Sequence, residues 1–301
     1  MDIAMIGLGR MGANMARRLA RGGVRVLGQD LHAPARDALS DEAGVQTVDT
    51  LDAVLQKLPG PRIFWLMLPA GPVTQATIDR LATMVSPGDI IIDGGNAFYK
   101  DSQKRAQALA ERAISFVDCG VSGGVWGLEN GYTLTLGGDI QAINKLERFA
   151  KILAPSDQGW LHCGPSGSGH FVKMVHNGIE YGAMQAYAEG FALLAAKEEF
   201  HLDIAEIAET WRHGSVIRSW LLDLTAETLK TRPDLNAIAP VVNDSGEGRW
   251  TALEAVELGV PAPVMSLALM MRFATQGKND YPARLLALMR NAFGGHAIEK
   301  H

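Results

Sequence analysis

Three features of the 301-residue sequence predict an α/β domain with a mainly parallel sheet, followed by an all-α domain. Short, near-continuous apolar runs alternate with amphipathic stretches through the first half, as strands buried on both faces alternate with their crossover helices. A glycine-rich turn joins the first apolar run to the first amphipathic stretch. After Cys163 the alternation stops and only helical periodicity remains.

The strand candidates are DIAMIGL (2–8), VRVLGQD (24–30), RIFWLML (62–68), DIIID (89–93), SFVDCGV (115–121), YTLTLGG (132–138) and GWLHC (159–163). Between them, MGANMARRLARG, PVTQATIDRLATMV, SQKRAQALAERA and QAINKLERFAKILA space their apolar residues as one face of a helix. GPSGSG reads as a joint, dividing the chain into domains 1–164 and 165–301. Beyond it, 170–201 reads as one long helix, with further helices at 204–212, 219–230, 251–258 and 264–275. The stretch TRPDLNAIAPVVNDSGEGRW (231–250), rich in Pro, Asn, Asp and Gly, is expected to be a loop.

Composition narrows the function classes. Hydrophobic content of 47% with 20% charged residues describes a chain able to bury a large core. A formal net charge of -5 carries no basic excess, which argues against a nucleic-acid partner. No apolar run reaches the length of a membrane span, and the N-terminus lacks a signal-peptide pattern, so a cytoplasmic protein is expected. Two cysteines, Cys119 and Cys163, supply neither a disulfide framework nor a metal cluster, and no metal is expected. Cys119 reads as a buried structural thiol, the methionines (Met265, Met270 and Met271 among them) as core filler, and His213 with Arg212 and Arg218 as a solvated helix face.

The first strand runs into Gly7-Leu8-Gly9-Arg10-Met11-Gly12, and the second strand ends in Asp30. A GxGxxG between strand and helix, with an acid at the end of the next strand, is the dinucleotide-binding context, so the first domain reads as Rossmann-type. The first glycine permits the tight turn, the second lets backbone approach a pyrophosphate, and the third packs helix on strand. The helix N-terminus offers free N–H groups to the phosphates. Asp30 favours a ribose 2′-hydroxyl over a 2′-phosphate, hence NAD over NADP, since Leu31-His32 rather than a basic residue follows it and Arg36 lies six positions on.

DGGN (93–96) and VSGGVWG (121–127) occupy the expected carboxyl ends of two further strands, where ligands bind in open α/β sheets. Their glycines would admit a ring or a sugar, while Asn96 and Ser122 add an amide and a hydroxyl suited to a polyhydroxylated ligand. In HFVKMVHNGIEYG (170–182), Lys173, His176, Asn177 and Glu180 stand at offsets of 0, 3, 4 and 7, one stripe of a helix. Phe171, Val172, Val175 and Ile179 fall on an adjoining face that could dock against a core. The segment carries few charges, and Gly178 in a helix interior suggests close approach by a ligand or another backbone. Both points favour a site over a solvated face.

These stretches resemble the decarboxylating 6-phosphogluconate dehydrogenases. The likeness rests on GLGRMG (7–12), IIDGGN (91–96), VDCGVSGGVWGLENGYTLTLGGD (117–139), GPSGSGHFVKMVHNGIEYG (164–182) and RNAFGGHA (290–297), and covers nearly the whole chain. The length is similar to that of the shorter, often NAD-using branch. The resemblance implies oxidation of 6-phosphogluconate at C3, loss of CO2, and protonation of the resulting enol at C1 to give ribulose 5-phosphate, a reaction of the pentose phosphate pathway. It implies Lys173 as general base and Glu180 as general acid, about 10 Å apart along the helix axis. By the same resemblance Asn96, Ser122, Gly123, Gly124, His176, Asn177 and Tyr181 contact substrate, and Arg272 holds its phosphate. Gly7, Leu8, Gly9, Arg10, Met11, Gly12, Asp30 and Asn96 would hold the NAD. Arg290 and His296 resemble residues that reach a partner subunit's site, which implies a homodimer or homotetramer with sites completed in trans. Two departures stand out: Ser168 replaces the usual alanine, and the 243–250 segment is shorter than the long form's loop and lacks its lysine, for which Arg249 is the candidate substitute. The alternative is a non-decarboxylating 3-hydroxyacid dehydrogenase of the 3-hydroxyisobutyrate type, which shares the glycine turn and a helix lysine but has no partner for Glu180.

Overall fold

The computed structural model describes residues 2–232, 234–294 and 297–299. The chain forms two compact units, Met1–Val175 and His176–His301. The division falls inside a long helix rather than at the GPSGSG joint, because the first turns of that helix are packed on the sheet.

In the first unit eight strands form one sheet: β1 (Asp2–Ile6), β2 (Arg25–Gln29), β3 (Val45–Val48), β4 (Ile63–Leu66), β5 (Ile90–Asp93), β6 (Ser115–Ser122), β7 (Thr133–Gly138) and β8 (Trp160–Gly164), in the order β3-β2-β1-β4-β5-β6-β7-β8. The first six are parallel, β7 runs antiparallel to β6, and β8 is parallel to β7. The crossover helices are α1 (Arg10–Arg21), α2 (Ala33–Asp37), α3 (Leu51–Lys57), α4 (Pro72–Met84), α5 (Tyr99–Ala110), α6 (Gly127–Asn130) and α7 (Ile140–Leu153). The strands read as continuous apolar runs because both faces are covered. Ile3 and Met5 join a cluster with Met15 and Leu19 of α1 and Leu146 and Phe149 of α7. Ala4 and Ile6 point the other way, to Val54, Ile78, Leu81 and Leu109 of α3, α4 and α5. Strand β3 has no counterpart among the expected strands: VQTV is a four-residue edge, only partly buried, and its pairing with β2 defines it.

The long helix α8 (Ser168–Ala196) starts in the first unit and continues into the second, which adds α9 (Ile204–Arg212), α10 (Trp220–Thr231), α11 (Glu247–Leu258), α12 (Pro263–Phe273) and α13 (Asp280–Gly294). Asp203 and Ser219 cap α9 and α10 by accepting from Glu206 N and Leu222 N. Phe191, Ala208, Leu222 and Ala226 form a small core there. Arg212 pairs with Glu209 and Asp223, and His213 with Glu209, so this group is satisfied locally. Met270 and Met271, expected as core filler, are exposed because α12 buries Ala268 and Leu269 instead. Among the described residues no helix is long and apolar enough to cross a membrane.

Candidate functional site

The sheet order reverses between β1 and β4, so loops at the carboxyl ends of β1, β4, β5 and β6 come together in the first unit. In the glycine turn, Gly7 has φ +90° and a Cβ there would lie 2.6 Å from the Met67 carbonyl oxygen. A Cβ at Gly12 would collide with the Gly7 carbonyl. Gly9 differs: nothing lies within 4 Å of its Cβ position. Two glycines therefore serve internal packing and one leaves an open approach to backbone.

Leu8 is buried, whereas Arg10 is exposed where it opens α1, a helix with no acidic residue in its first turn. The Asp30 carboxylate accepts from Leu8 N through Oδ2 and from His32 N through Oδ1, each at 2.8 Å. It thus ties the glycine turn to the end of β2, and a carboxylate keeps lone pairs for a ribose hydroxyl beyond these two donors. Arg36 is committed to the carbonyls of Asp30 (2.8 Å) and Leu31 (3.1 Å). The open Gly9 backbone, the helix N-terminus and the spare acceptor capacity of Asp30 fit a dinucleotide.

After β5, Asp93 is buried in an ion pair with Arg105 Nη1 (2.7 Å), whose Nε donates to Gln75 Oε1 (2.9 Å). Asp93 is therefore structural, held by a partner that no motif marks. Gly94 and Gly95 correct an expectation. A Cβ on either would collide with Trp65 or the Leu68 carbonyl, so these glycines admit protein rather than a ring or a sugar. Asn96 beside them is exposed. After β6, Ser122 is half-buried, a Cβ at Gly123 would press on Tyr132, and a Cβ at Gly124 (φ +54°) would have no neighbour within 4 Å. Arg18 of α1 ties the following α6 to the glycine-turn helix, donating to the carbonyls of Leu128 (3.0 Å), Leu153 (3.0 Å) and Ala154 (3.1 Å). Burial pushes the Tyr132 phenol up to about 12.

The foot of α8 is seated on β6 and β7. Asp118 accepts from Gly167 N (2.5 Å) and His170 N (2.8 Å). Burial pushes its carboxyl above the usual range, against the downward pull of His170 and the N–H donors. Cβ atoms at Gly137 or Gly169 would lie 2.5 to 2.8 Å from their neighbours on the facing element, and one at Gly120 would collide with the Cβ of Lys173. These glycines let the helix backbone reach the sheet, and Lys173 is buried against β6 as a result. His170 Nδ1 lies 2.7 Å from Ser102 Oγ, also buried. Cys119 is buried, its thiol pushed well up by desolvation, which fits a structural thiol.

Further along α8, in the second unit, Asn177, Gly178, Tyr181 and Gly182 are buried, His176 is exposed and Glu180 half-buried. His176 Nδ1 lies 3.0 Å from Asn177 Oδ1 and 3.8 Å from Glu180 Oε2. Val172 and Ile179, expected to dock against a core, are exposed. The buried stripe is instead the one carrying Lys173, Asn177 and the small residues, because glycine permits closer approach than a branched side chain. Gly178 is crowded by Thr251 (2.6 Å from its Cβ position) and Met265 (3.1 Å), so a helix, not a ligand, makes the close approach there. Tyr181 OH lies 3.2 Å from Ser245 Oγ and accepts from Ser245 N at 3.2 Å. The Arg272 guanidinium stacks 3.5 Å from the Tyr181 ring centroid and donates to the Asn243 carbonyl at 2.9 Å. Arg290 is exposed on α13, and His296 lies outside the described residues.

Known proteins match along the chain. The model of the NAD binding domain of 6-phosphogluconate dehydrogenase matches residues 2–161, and that of the 6-phosphogluconate dehydrogenase C-terminal domain matches residues 169–284. The NAD(+)-dependent, decarboxylating 6-phosphogluconate dehydrogenase of Haloferax volcanii is 39% identical over 301 residues, covering 100% of this chain and 99% of its own. Plasmodium falciparum 6-phosphogluconate dehydrogenase, solved in its apo form, with its cofactor NADP+ and with its substrate 6-phosphogluconate, superposes with a TM-score of 0.84 at 29% identity. That match covers all of this chain and 66% of the longer Plasmodium chain. A 3-hydroxyisobutyrate dehydrogenase structure from Salmonella typhimurium shares the fold, with a TM-score of 0.75 at 22% identity over 92% of this chain and 95% of its own.

Proposed function

The chain belongs to the 6-phosphogluconate dehydrogenase family, and we propose that it oxidises and decarboxylates 6-phosphogluconate to ribulose 5-phosphate with NAD. The observation that carries this reading is one helix bearing a buried lysine, Lys173, and, two turns on, a half-buried glutamate, Glu180. Seven residues at 1.5 Å each separate them by about 10 Å along the axis, room for a sugar-acid chain. Lys173 takes the proton of the C3 hydroxyl, a role a lysine fills only where its surroundings disfavour the ammonium. Bound NAD supplies the acceptor for the C3 hydride. The protonated Lys173 then polarises the new C3 carbonyl while CO2 leaves, and Glu180 delivers a proton to C1 of the enol.

Asn96, Ser122, Gly123, Gly124, His176 and Asn177 orient the sugar acid in this scheme, with Tyr181 and Arg272 at its phosphate end. Asp30 sets the preference for a free ribose 2′-hydroxyl. The test is initial rates with 6-phosphogluconate and either NAD or NADP, with released CO2 measured. Turnover with matching CO2 and a large NAD preference is expected. Preference for NADP would refute the role given to Asp30, and CO2-free oxidation of 3-hydroxyisobutyrate instead would replace the reading.

The working form is a homodimer or a pair of dimers, with Arg290 and His296 reaching a neighbour's site. Support comes from apolar side chains left exposed on the second unit, Val256 (80%), Val264 (67%) and Leu286 (62%) among them, which a second copy would cover. Sedimentation at micromolar concentration should give a dimer or tetramer; a fully active monomer would end this part of the proposal.

A further inference from the structure

One turn before Lys173, on the same side of α8, stands a second buried titratable group, His170. Three residues apart, the two side chains lie about 60° from each other around the helix. The proposed chemistry does not use this imidazole. Its Nδ1 lies 2.7 Å from Ser102 Oγ, while its Nε2 has no hydrogen-bond partner among the described residues. A buried ring satisfied at one nitrogen is destabilising, and an apolar ring would pack there more favourably. Adhesion between α5 and the foot of α8 has other sources. Tyr99 meets Phe171 edge-on with 5.2 Å between ring centroids, and a Cβ at Gly167 would press on Gln103.

What the polar pair adds is direction. The backbone N–H groups of Gly167 and His170 hang the foot of α8 from the Asp118 carboxylate. Such groups point along the helix axis, so they fix its depth on the sheet but only weakly its rotation. The Ser102–His170 bond lies off that axis and resists rotation. A turn of about 10° moves a side chain at the helix's outer radius, about 6 Å, by about 1 Å. Ser102 is in turn tied to the loop of Asn96. Arg105, one turn on and on the same face of α5, pairs with Asp93 Oδ2 at 2.7 Å, and Asp93 Oδ1 accepts from Gly95 N at 3.2 Å. One face of α5 thus joins the strand end before Asn96 to the helix that carries Lys173.

We infer that Ser102 and His170 are positioning residues for the oxidation step: their hydrogen bond sets the rotation of α8, and through it the place of Lys173 relative to Asn96. The inference rests on the reading of Lys173 as the base that takes the C3 hydroxyl proton. Proton and hydride leave the same carbinol group, so the amine and the nicotinamide must both be in reach at once. A misplacement of about 1 Å is enough to lower such a rate about 100-fold.

A positioning pair and a pair that only packs differ in what restores the rate. Ser102→Ala should lower the single-turnover rate of hydride transfer about 10- to 100-fold, with KM for 6-phosphogluconate and NAD within about threefold. Substrate carrying deuterium at C3 should show a larger isotope effect than with the unsubstituted enzyme, because hydride transfer becomes the slower step. Ser102→Thr keeps the hydroxyl and should recover most of the rate. His170→Phe should match Ser102→Ala, and the two together should be no slower than either alone. In that double variant both polar groups are gone, so the melting temperature should return towards that of the unsubstituted enzyme while the rate stays low. A rate that recovers with the melting temperature would make the pair structural and overturn the inference. Normal hydride transfer in Ser102→Ala would overturn it too, and 6-phosphogluconate turnover in the unsubstituted enzyme would leave the proposed function standing. If the unsubstituted enzyme oxidised 3-hydroxyisobutyrate instead, the same rate pattern on that substrate would keep the positioning role after the proposed function had failed.

Discussion

Lys173→Met is expected to abolish hydride transfer, lowering the rate of reduced-cofactor formation by about 100- to 10,000-fold, the range of a lost general base. Methionine keeps the unbranched length of the side chain and removes the proton-accepting nitrogen, so it suits a buried position packed against β6. The defect should be present in the first turnover. Mixing the variant with saturating 6-phosphogluconate and NAD should give no rapid rise in reduced cofactor. A burst of normal amplitude and rate would mean that the C3 proton goes elsewhere and that Lys173 is a packing residue.

Glu180→Gln should also lower steady-state turnover by about 100-fold or more, but at a later step. With the base intact, oxidation and CO2 loss proceed once per site, and the enol then waits for a proton. One equivalent of reduced cofactor should form quickly, followed by a slow phase, with substrate affinity close to that of the unsubstituted enzyme. Glutamine keeps the size of a side chain that is 38% exposed, so the fold is not expected to suffer. Steady-state turnover near normal would remove Glu180 from the chemistry. Loss of the first-turnover burst would instead put it at the same step as Lys173. Together the two variants assign each end of the stripe to its own proton transfer.

The seat of this stripe was only partly legible. Lys173, Asn177 and Glu180 stand out in the sequence because their spacing is a property of any helix, whatever surrounds it. The order of burial around that helix is not such a property. Val172 and Ile179 look like the docking face by composition, yet the buried face carries Lys173, Asn177, Gly178 and Gly182. Facing glycines and small residues permit the closer contact, and that depends on what lies opposite. For the same reason Gly94, Gly95 and Gly178, which suggest room for a ligand, are filled by Trp65, Leu68 and Thr251. Gly9 and Gly124, with the same letter in the sequence, stay open.

The sequence by itself determined the two-part architecture, the strand–helix alternation, the glycine turn with Asp30, and the helix that carries Lys173 and Glu180. Each of these is encoded by periodicity or by short-range spacing along one segment. Tertiary structure alone decided the strand β3, the seating of α8 through Asp118 and Gly120, the Arg105 partner of Asp93, and the pairing of Arg249 with Asp244 and Phe273. Most of these join segments far apart in the chain, and even the nearby Arg249–Asp244 pair takes its setting from the distant Phe273. One-dimensional patterns hold no record of which distant surfaces will meet.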